Sequence, residues 1–136
     1  MDIIMKPIGY IKSEFTRKKD LPRQSVLNPH NKAFIKIQPE YVQGLKGIKK
    51  NQHIVIIFNF HKSNSSPLQT VSWRDNKETG VFNTRSPNRP NGIGLSIVEV
   101  IDVSDNCLAF KGVDMLDGTP VLDIKPYSPD LNPNNI

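Results

Sequence analysis

Six short runs rich in β-branched and aromatic residues constrain the fold of this 136-residue chain more than any other feature. Turn residues bound most of these runs, which span residues 8–13, 33–38, 53–60, 94–103, 107–113 and 121–126. Apolar and polar side chains alternate in 33–38, which predicts a half-buried strand, whereas 53–60 is apolar almost throughout and predicts a central one. Only residues 39–51 look helical, and Gly44 inside them predicts a short helix. The pattern favours a mainly β fold, a closed or nearly closed antiparallel barrel.

The segments between the strands carry turn signals. Residues 104–106 (SDN) predict a hairpin turn, and residues 116–120 (LDGTP) predict a second turn in which Gly118 can adopt a positive φ. Residues 62–80 show no periodicity, which predicts a long loop or an irregular strand around Trp73.

The composition is that of a soluble globular protein, with 37% hydrophobic and 23% charged residues. The chain has no run of about 20 apolar residues that could span a membrane, and Asp2 and Lys6 interrupt any signal-peptide core. Cys107 is the only cysteine, which excludes an internal disulfide and suits a reducing cytoplasm. We therefore expect a cytoplasmic protein in which residues 1–136 form one domain, without a membrane partner.

The charge is unevenly distributed along the chain. Residues 1–62 carry 12 Lys and Arg against 4 Asp and Glu, whereas residues 63–136 carry 6 against 9. A basic half indicates an anionic partner, most commonly a nucleic acid, although the same charges also fit a solvated surface. Within that half, the cluster Lys46, Lys49 and Lys50 is the candidate for RNA contacts.

Residues 84–94 (TRSPNRPNGIG) place two arginines on a segment that opposes regular structure. Pro87 and Pro90 fix φ and lack an N–H group, and the glycines permit conformations or close approaches that a side chain would block. This composition predicts a stiff, ordered loop that positions Arg85 and Arg89 for a ligand.

Candidate site residues cluster where the predicted strands end, in residues 21–25, 60–63, 84–90 and 112–120. In a barrel the loops at strand ends meet, so these four segments are predicted to line one pocket. No phosphate-binding glycine loop is present, and the three histidines lack partners at metal-ligand spacing, so no metal site is expected. His61, at the end of the predicted central strand, is the histidine best placed to meet a ligand.

Five blocks of the sequence together resemble one known family. They read PIGYIKSEF, LPRQS, FNFHKS, GVFNTRSPNRPNGIGLS and LDGTPVLDIKPYSP. In this order they resemble the signature blocks of the TsaA-like family, whose characterised members are TrmO-type tRNA methyltransferases. The resemblance extends from about residue 6 to residue 130, nearly the whole chain.

The resemblance implies a small, single-sheeted barrel with one or two helical turns that forms a homodimer and binds S-adenosylmethionine. It also implies methyl transfer to N6 of threonylcarbamoyl-adenosine beside the anticodon of tRNA. Matching the motifs residue by residue places the cofactor contacts on Pro22, Arg23, Gln24, His61, Lys62, Arg85, Leu95, Asp114, Met115, Leu116, Asp117, Gly118 and Thr119.

The sequence departs from the family pattern in three ways. Asn83 stands where the family usually has alanine, and Gly92 stands where it usually has proline, which is expected to loosen the loop. The chain is also expected to be a short form without the C-terminal domain of longer members, so the resemblance predicts the fold and the cofactor more directly than the acceptor.

Several roles are assigned on chemical grounds. Arg23 and Arg85 suit the carboxylate of the methionine moiety, because a guanidinium binds a carboxylate bidentately, and Arg89 is a candidate for acceptor binding. The accepting nitrogen must lose a proton, for which His61, Asp114 and Tyr127 are the candidates.

Two other functions fit parts of the sequence. One is a non-catalytic RNA-binding barrel that uses exposed aromatics such as Tyr10, Phe15 or Trp73. The other is a methyltransferase that acts on a small molecule through the same cofactor pocket. For a homodimer, strand edges and the proline-rich residues 126–136 are the predicted interface.

Overall fold

A computed structural model describes residues 1–16, 31–131 and 133. Its strands, in chain order, are β1 (Gly9–Lys12), β2 (Lys32–Ile37), β3 (His53–Asn59), β4 (Gln69–Val71), β5 (Glu78–Gly80), β6 (Ile93–Ser104), β7 (Cys107–Lys111) and β8 (Pro120–Pro126). Six of them close into an antiparallel barrel in the order β1-β2-β7-β6-β3-β8, and β4 and β5 form a separate two-stranded sheet. The predicted mainly β barrel is confirmed.

Alternate residues of the strands fill the barrel interior. In β2, Ala33, Ile35 and Ile37 are buried and the residues between them are exposed, which confirms the predicted alternation. Ile35 packs in one core with buried side chains of the other barrel strands, among them Ile54, Ile56, Val100, Leu108 and Phe110. Each such side chain contributes about 1.5–3 kcal/mol through its burial. Closure of the barrel is therefore driven by one continuous apolar core.

The outer face of β3 and β6 is also apolar, which explains why residues 53–60 lack alternation. Val55 lies opposite Ile97, and Ile57 lies opposite Leu95. The inward side chains of β3 are fully buried, whereas Val55 and Ile57 are only partly covered. We call the outward surface formed by Val55, Ile57, Ile93, Leu95 and Ile97 the β3–β6 face.

The predicted helix is a single 3₁₀ segment, Pro39–Leu45, and is shorter than the predicted residues 39–51. Proline occupies its first turn, and Leu45 is its one buried residue. Gly47 follows with a φ of 94°, a conformation that ends helices. Within the described residues, no helix is long and apolar enough to cross a membrane.

Residues 62–80 contain a hairpin that the sequence pattern did not predict. β4 and β5 pair from Gln69 opposite Gly80 to Val71 opposite Glu78. The hairpin is tied to the chain beside it: the Arg74 Nη2 donates to the Asn83 carbonyl at 3.2 Å, and the Asn83 Nδ2 donates to the Thr79 Oγ1 at 3.2 Å. Asn83 therefore makes a side-chain contact that the alanine usual in the family could not make.

Candidate functional site

A cavity of about 590 Å³ opens at the end of the barrel where β3 ends and β6 begins. Its walls come from five segments: the end of β3 and the residues after it, the start of β6, the loop 84–89, the loop 114–119, and the hairpin residues 70–73. The volume lies in the usual range for small-molecule sites. Three of the four segments that the sequence predicted to share a pocket meet here. The fourth, residues 21–25, lies outside the described residues.

Most of the predicted cofactor contacts line this cavity. They are His61, Lys62, Arg85, Leu95, Asp114, Met115, Leu116 and Thr119. Pro22, Arg23 and Gln24 are outside the part of the chain that the structure describes.

The remaining two predicted contacts, Asp117 and Gly118, hold the loop in place instead of lining the cavity. The Asp117 Oδ1 accepts a hydrogen bond from the Ser13 N–H at 3.0 Å, and the Gly118 N–H donates to the Ile11 carbonyl at 2.8 Å. Gly118 has a φ of 82°, as its predicted turn requires. A Cβ on Gly118 would lie 3.8 Å from the His61 Nε2, so this turn packs beside the histidine.

The loop that carries both arginines is braced by one of them. The Arg89 Nη1 donates to the Thr84 carbonyl at 2.7 Å and to the Ser86 carbonyl at 3.3 Å. The Thr84 hydroxyl in turn donates to the Val81 carbonyl at 2.8 Å. Arg85 and Arg89 both line the cavity, so the predicted stiff loop places two cations at the site.

Gly92 also sets the path of this loop, an effect that the expectation from sequence did not include. Its φ is 57°, which a proline ring cannot adopt, and Asn91 before it has a φ of 63°. The Gly92 N–H donates to the Arg89 carbonyl at 3.1 Å, a bond for which proline lacks the hydrogen. Its carbonyl accepts from the Phe60 N–H at 2.7 Å, which joins the loop to the end of β3. With glycine here, the loop follows a path closed to a chain with proline at this position.

An aromatic wall borders the cavity where β3 and β6 pair. The rings of Phe58 and Phe60 meet edge to face, with centroids 5.1 Å apart. They lie over Gly94, where an added Cβ would come within 2.5 Å of the Phe58 Cζ and 2.8 Å of the Phe60 Cζ. Glycine is therefore required at residue 94 for these rings to take their positions.

One carboxylate faces the cavity, and its position is fixed. Asp114 is the only acidic residue among the described residues that line it. The Asp114 Oδ1 accepts a hydrogen bond of 2.8 Å from the hydroxyl of Ser96, a buried residue of β6. Beside it, Met115 and Leu116 are buried and contribute apolar surface. This side of the site thus combines a negative charge with apolar walls, which suits a ligand bearing a positive centre.

His61 lies on the rim next to Lys62. Surrounding protein atoms displace water from part of the imidazole, and the Lys62 ammonium repels a second positive charge, so the pKa of His61 lies below its ordinary value of 6.5. The imidazole is consequently neutral at pH 7 and can accept a proton. The Lys62 Nζ donates to the Thr16 carbonyl at 3.3 Å and thereby ties the segment after β1 to the rim.

Tyr127 and the lysine cluster lie at the opposite end of β3. The Tyr127 N–H donates to the carbonyl of His53, the first residue of β3, whereas the cavity begins at Phe58. Lys46, Lys49 and Lys50 precede the same end of the strand. A strand of seven residues spans about 20 Å. Within one chain, none of these four residues reaches the cavity.

The hairpin contributes cavity residues that the sequence reasoning did not assign to the site. Thr70, Val71, Ser72 and Trp73 line the cavity, and Trp73 is 59% exposed. Strands β4 and β5 are too short to show periodicity in the sequence. The one sequence feature that could have indicated a site here was Trp73, an isolated tryptophan in a polar segment. Among the described residues, no group of three His, Cys, Asp or Glu side chains could hold a metal ion.

The chain is similar to proteins from all three domains of life. Residues 10–132 match the family described as the tRNA-methyltransferase O N-terminal domain. The chain is 42% identical over 130 residues to an S-adenosyl-L-methionine-binding protein of Archaeoglobus fulgidus, covering 96% of this chain and 93% of that one. It is 40% identical over 145 residues to the mouse tRNA (adenine(37)-N6)-methyltransferase, covering 99% of this chain and 33% of that one.

Solved structures show the same architecture. The crystal structure of TrmO from Pseudomonas aeruginosa superposes with a TM-score of 0.82 at 38% sequence identity. The match covers 100% of this chain and 60% of the TrmO chain. This chain thus spans about three fifths of the bacterial protein and a third of the mouse enzyme.

Proposed function

Because the chain belongs to the family of the tRNA-methyltransferase O N-terminal domain, we propose that it is an S-adenosylmethionine-dependent tRNA methyltransferase. Its acceptor is N6 of adenosine 37 in tRNA, in the threonylcarbamoyl-modified form. The archaeal relative is named for binding the cofactor, and the mouse relative is named for the methyl transfer to adenine 37. The observation that carries the proposal is the cavity itself, in which Arg85, Asp114 and an aromatic wall face one space.

The residues of the cavity fit S-adenosylmethionine. Phe58, Leu95 and Met115 supply apolar surface for the adenosine and the methylene groups. The Asp114 carboxylate, fixed by Ser96, stabilises a positive sulfur, and the Arg85 guanidinium suits the carboxylate of the methionine moiety. When bound, the cofactor supplies an electrophilic methyl group. The protein contributes mainly by holding acceptor and donor in line, since orientation lowers the barrier of a two-reactant step.

His61 is the proposed general base. The acceptor nitrogen must lose a proton as it gains the methyl group, and His61 is a neutral imidazole at pH 7 on the rim of the cavity. Asp114 also lines the cavity, but its role beside the sulfur calls for a carboxylate that keeps its charge. We do not propose Tyr127 for this role within one chain, because it lies at the far end of β3. Lys46, Lys49 and Lys50 are left as candidates for contacts with tRNA phosphates outside the cavity.

We also propose that the chain forms a homodimer. Each of the six barrel strands is paired on both sides within the described residues, so we do not place the interface on a barrel-strand edge. The β3–β6 face is the better surface, because Ile93 and Leu95 are each 41% exposed within an apolar patch. Leu95 also lines the cavity, so a second copy seated on this face would lie beside the site.

A methyl-acceptor assay tests the function. Labelled S-adenosylmethionine is incubated with three acceptors: tRNA carrying threonylcarbamoyl-adenosine 37, the same tRNA with unmodified adenosine 37, and a pool of small metabolites. We expect label only in the first. If only the metabolites are labelled, the acceptor is a small molecule and not tRNA. Cofactor binding without label in any acceptor would contradict the proposed reaction.

A further inference from the structure

A second cavity adjoins the first and differs from it in chemistry. It has a volume of about 410 Å³ and shares the wall residues Phe60, His61, Ser63, Pro87 and Arg89 with the first cavity. Its other lining residues are Asn59, Asn64, Ser65, Ser66, Asn91 and Gly92. None of the described residues that line it carries a carboxylate side chain. The first cavity contains a fixed carboxylate, whereas the second combines amides and hydroxyls with the guanidinium of Arg89.

Arg89 supplies the permanent positive charge of this second cavity. The hydrogen bonds that Arg89 makes to the described residues both use Nη1, at 2.7 Å and 3.3 Å. A guanidinium carries five N–H donors, so Nε and Nη2 have donors left for a ligand. Because the Nη1 contacts brace the loop from inside, those donors are held in place at the wall between the two cavities. Preorganised donors of this kind favour an anionic oxygen.

Ser63 offers a second donor on the same wall. Its Oγ is buried and has no hydrogen-bond partner among the described residues, which is uncommon for a buried hydroxyl. The Ser63 N–H donates to the Phe60 carbonyl at 3.1 Å, so the backbone of this residue is anchored. Rotation about χ1 would sacrifice no hydrogen bond, and the hydroxyl can therefore turn toward a ligand that offers an acceptor.

We propose that the second cavity is a subsite for an oxyanion of the methyl acceptor, bound by the Arg89 guanidinium and the Ser63 hydroxyl. The inference rests on the proposed function, which places the cofactor in the first cavity and makes His61, a residue of the shared wall, the base for the reacting nitrogen. The oxyanion is either a phosphate of the nucleotide or the carboxylate of its threonylcarbamoyl group. Either one would accept hydrogen bonds from the donors of Arg89 and Ser63 that have no partner among the described residues.

Binding measurements with two small probes test this subsite. In the presence of saturating S-adenosylhomocysteine, the protein is titrated with adenosine 5′-monophosphate, which has the phosphate alone, and with N6-threonylcarbamoyladenosine, which has the carboxylate alone. We expect at least one probe to bind, and Ser63→Ala to weaken it about tenfold through loss of a hydrogen bond to a charged group. The probe that responds identifies the oxyanion, and a response by both shows that the subsite accepts either.

Ser104→Ala is the matched control, because Ser104 is an exposed residue at the far end of β6. It should leave both probes and S-adenosylhomocysteine unaffected. The circular dichroism spectrum and the urea-denaturation midpoint of Ser63→Ala should match those of the parent, which shows that the variant folds. The subsite is refuted if neither probe binds, or if Ser63→Ala binds both as tightly as the parent. If the parent fails to bind S-adenosylhomocysteine at all, the proposed function fails instead.

Discussion

At the scale of single residues, Arg85 is expected to contribute directly to the affinity for S-adenosylmethionine. It stands on the braced loop and lines the first cavity. Arg85→Ala should weaken S-adenosylmethionine about ten- to a hundredfold, the effect of losing hydrogen bonds to a charged group. Isothermal calorimetry measures this, with Lys36→Ala as the control, since Lys36 is an exposed cation of β2 on the barrel exterior. Unchanged affinity in a folded Arg85→Ala protein would remove this residue from the cofactor site.

His61 leads to a prediction about pH. A base acts in its neutral form, so kcat should fall as the pH drops through the pKa of His61, which lies below 6.5. Water displacement lowers this pKa first and the Lys62 charge second, so Lys62→Gln should move the acidic limb upward, toward 6.5. The measurement is kcat against pH for the parent and for Lys62→Gln. If His61→Asn keeps the acidic limb of the kcat–pH profile at the same pH as the parent, another group transfers the proton.

At the scale of secondary-structure elements, the pairing of β3 with β6 depends on a glycine under two aromatic rings. An added methyl group at residue 94 would overlap both Phe58 and Phe60. Gly94→Ala should therefore lower the free energy of unfolding by about 1–3 kcal/mol and weaken cofactor binding, because the rings form a cavity wall.

Gly44→Ala provides the control for this effect. A Cβ at residue 44, in the 3₁₀ segment, would have nothing within 4 Å. We expect it to be neutral or to stabilise by about 0.4–1 kcal/mol through the unfolded chain. Urea denaturation measures both variants, and equal stabilities would show that the rings can move aside at little cost.

The hairpin β4–β5 contains Trp73, the only tryptophan of the chain, whose fluorescence should report ligand binding. Trp73 is 59% exposed yet lines the first cavity. A ligand that covers the indole removes water from it, so its fluorescence should shift to shorter wavelength when S-adenosylhomocysteine binds. Trp73→Phe should lose the signal while calorimetry still detects binding. If emission stays constant at a ligand concentration that saturates calorimetrically, the hairpin does not close on the cofactor.

At the scale of the whole molecule, the β3–β6 face predicts self-association. Ile57→Glu places a charge in the middle of that face, opposite Leu95, and should convert a dimer into a monomer of 15.4 kDa. Phe34→Glu is the control, because Phe34 is 44% exposed on β2, the strand diametrically opposite β3 in the barrel order. Light scattering at micromolar concentration measures the mass. A parent protein of 15.4 kDa would contradict the dimer.

The sequence alone was sufficient to predict the barrel strands and much of the site. Alternation in residues 33–38 and the turn at residues 104–106 depend on neighbours in the chain, and the structure confirms both. The sequence likewise predicts that the proline-rich loop holds its two arginines in place, because proline restricts φ in any surroundings. These features depend on residues that are close together in the sequence, so the sequence alone predicts them.

Tertiary structure decided which of these local features meet. β1 pairs with β8 through Gly9 and Val121, and β3 pairs with β6 and β8, so long-range register places His61 beside Gly118. The same register sends Tyr127 to the opposite end of β3 and brings an unpredicted hairpin to the cavity. The left-handed conformation of Gly92 and the burial of the Ser63 hydroxyl, which has no partner in the described part of the chain, also arise only when the loops pack together. The physical reason is that strand propensity is a property of neighbouring residues, whereas closure of a barrel is a property of side chains that meet from distant parts of the chain.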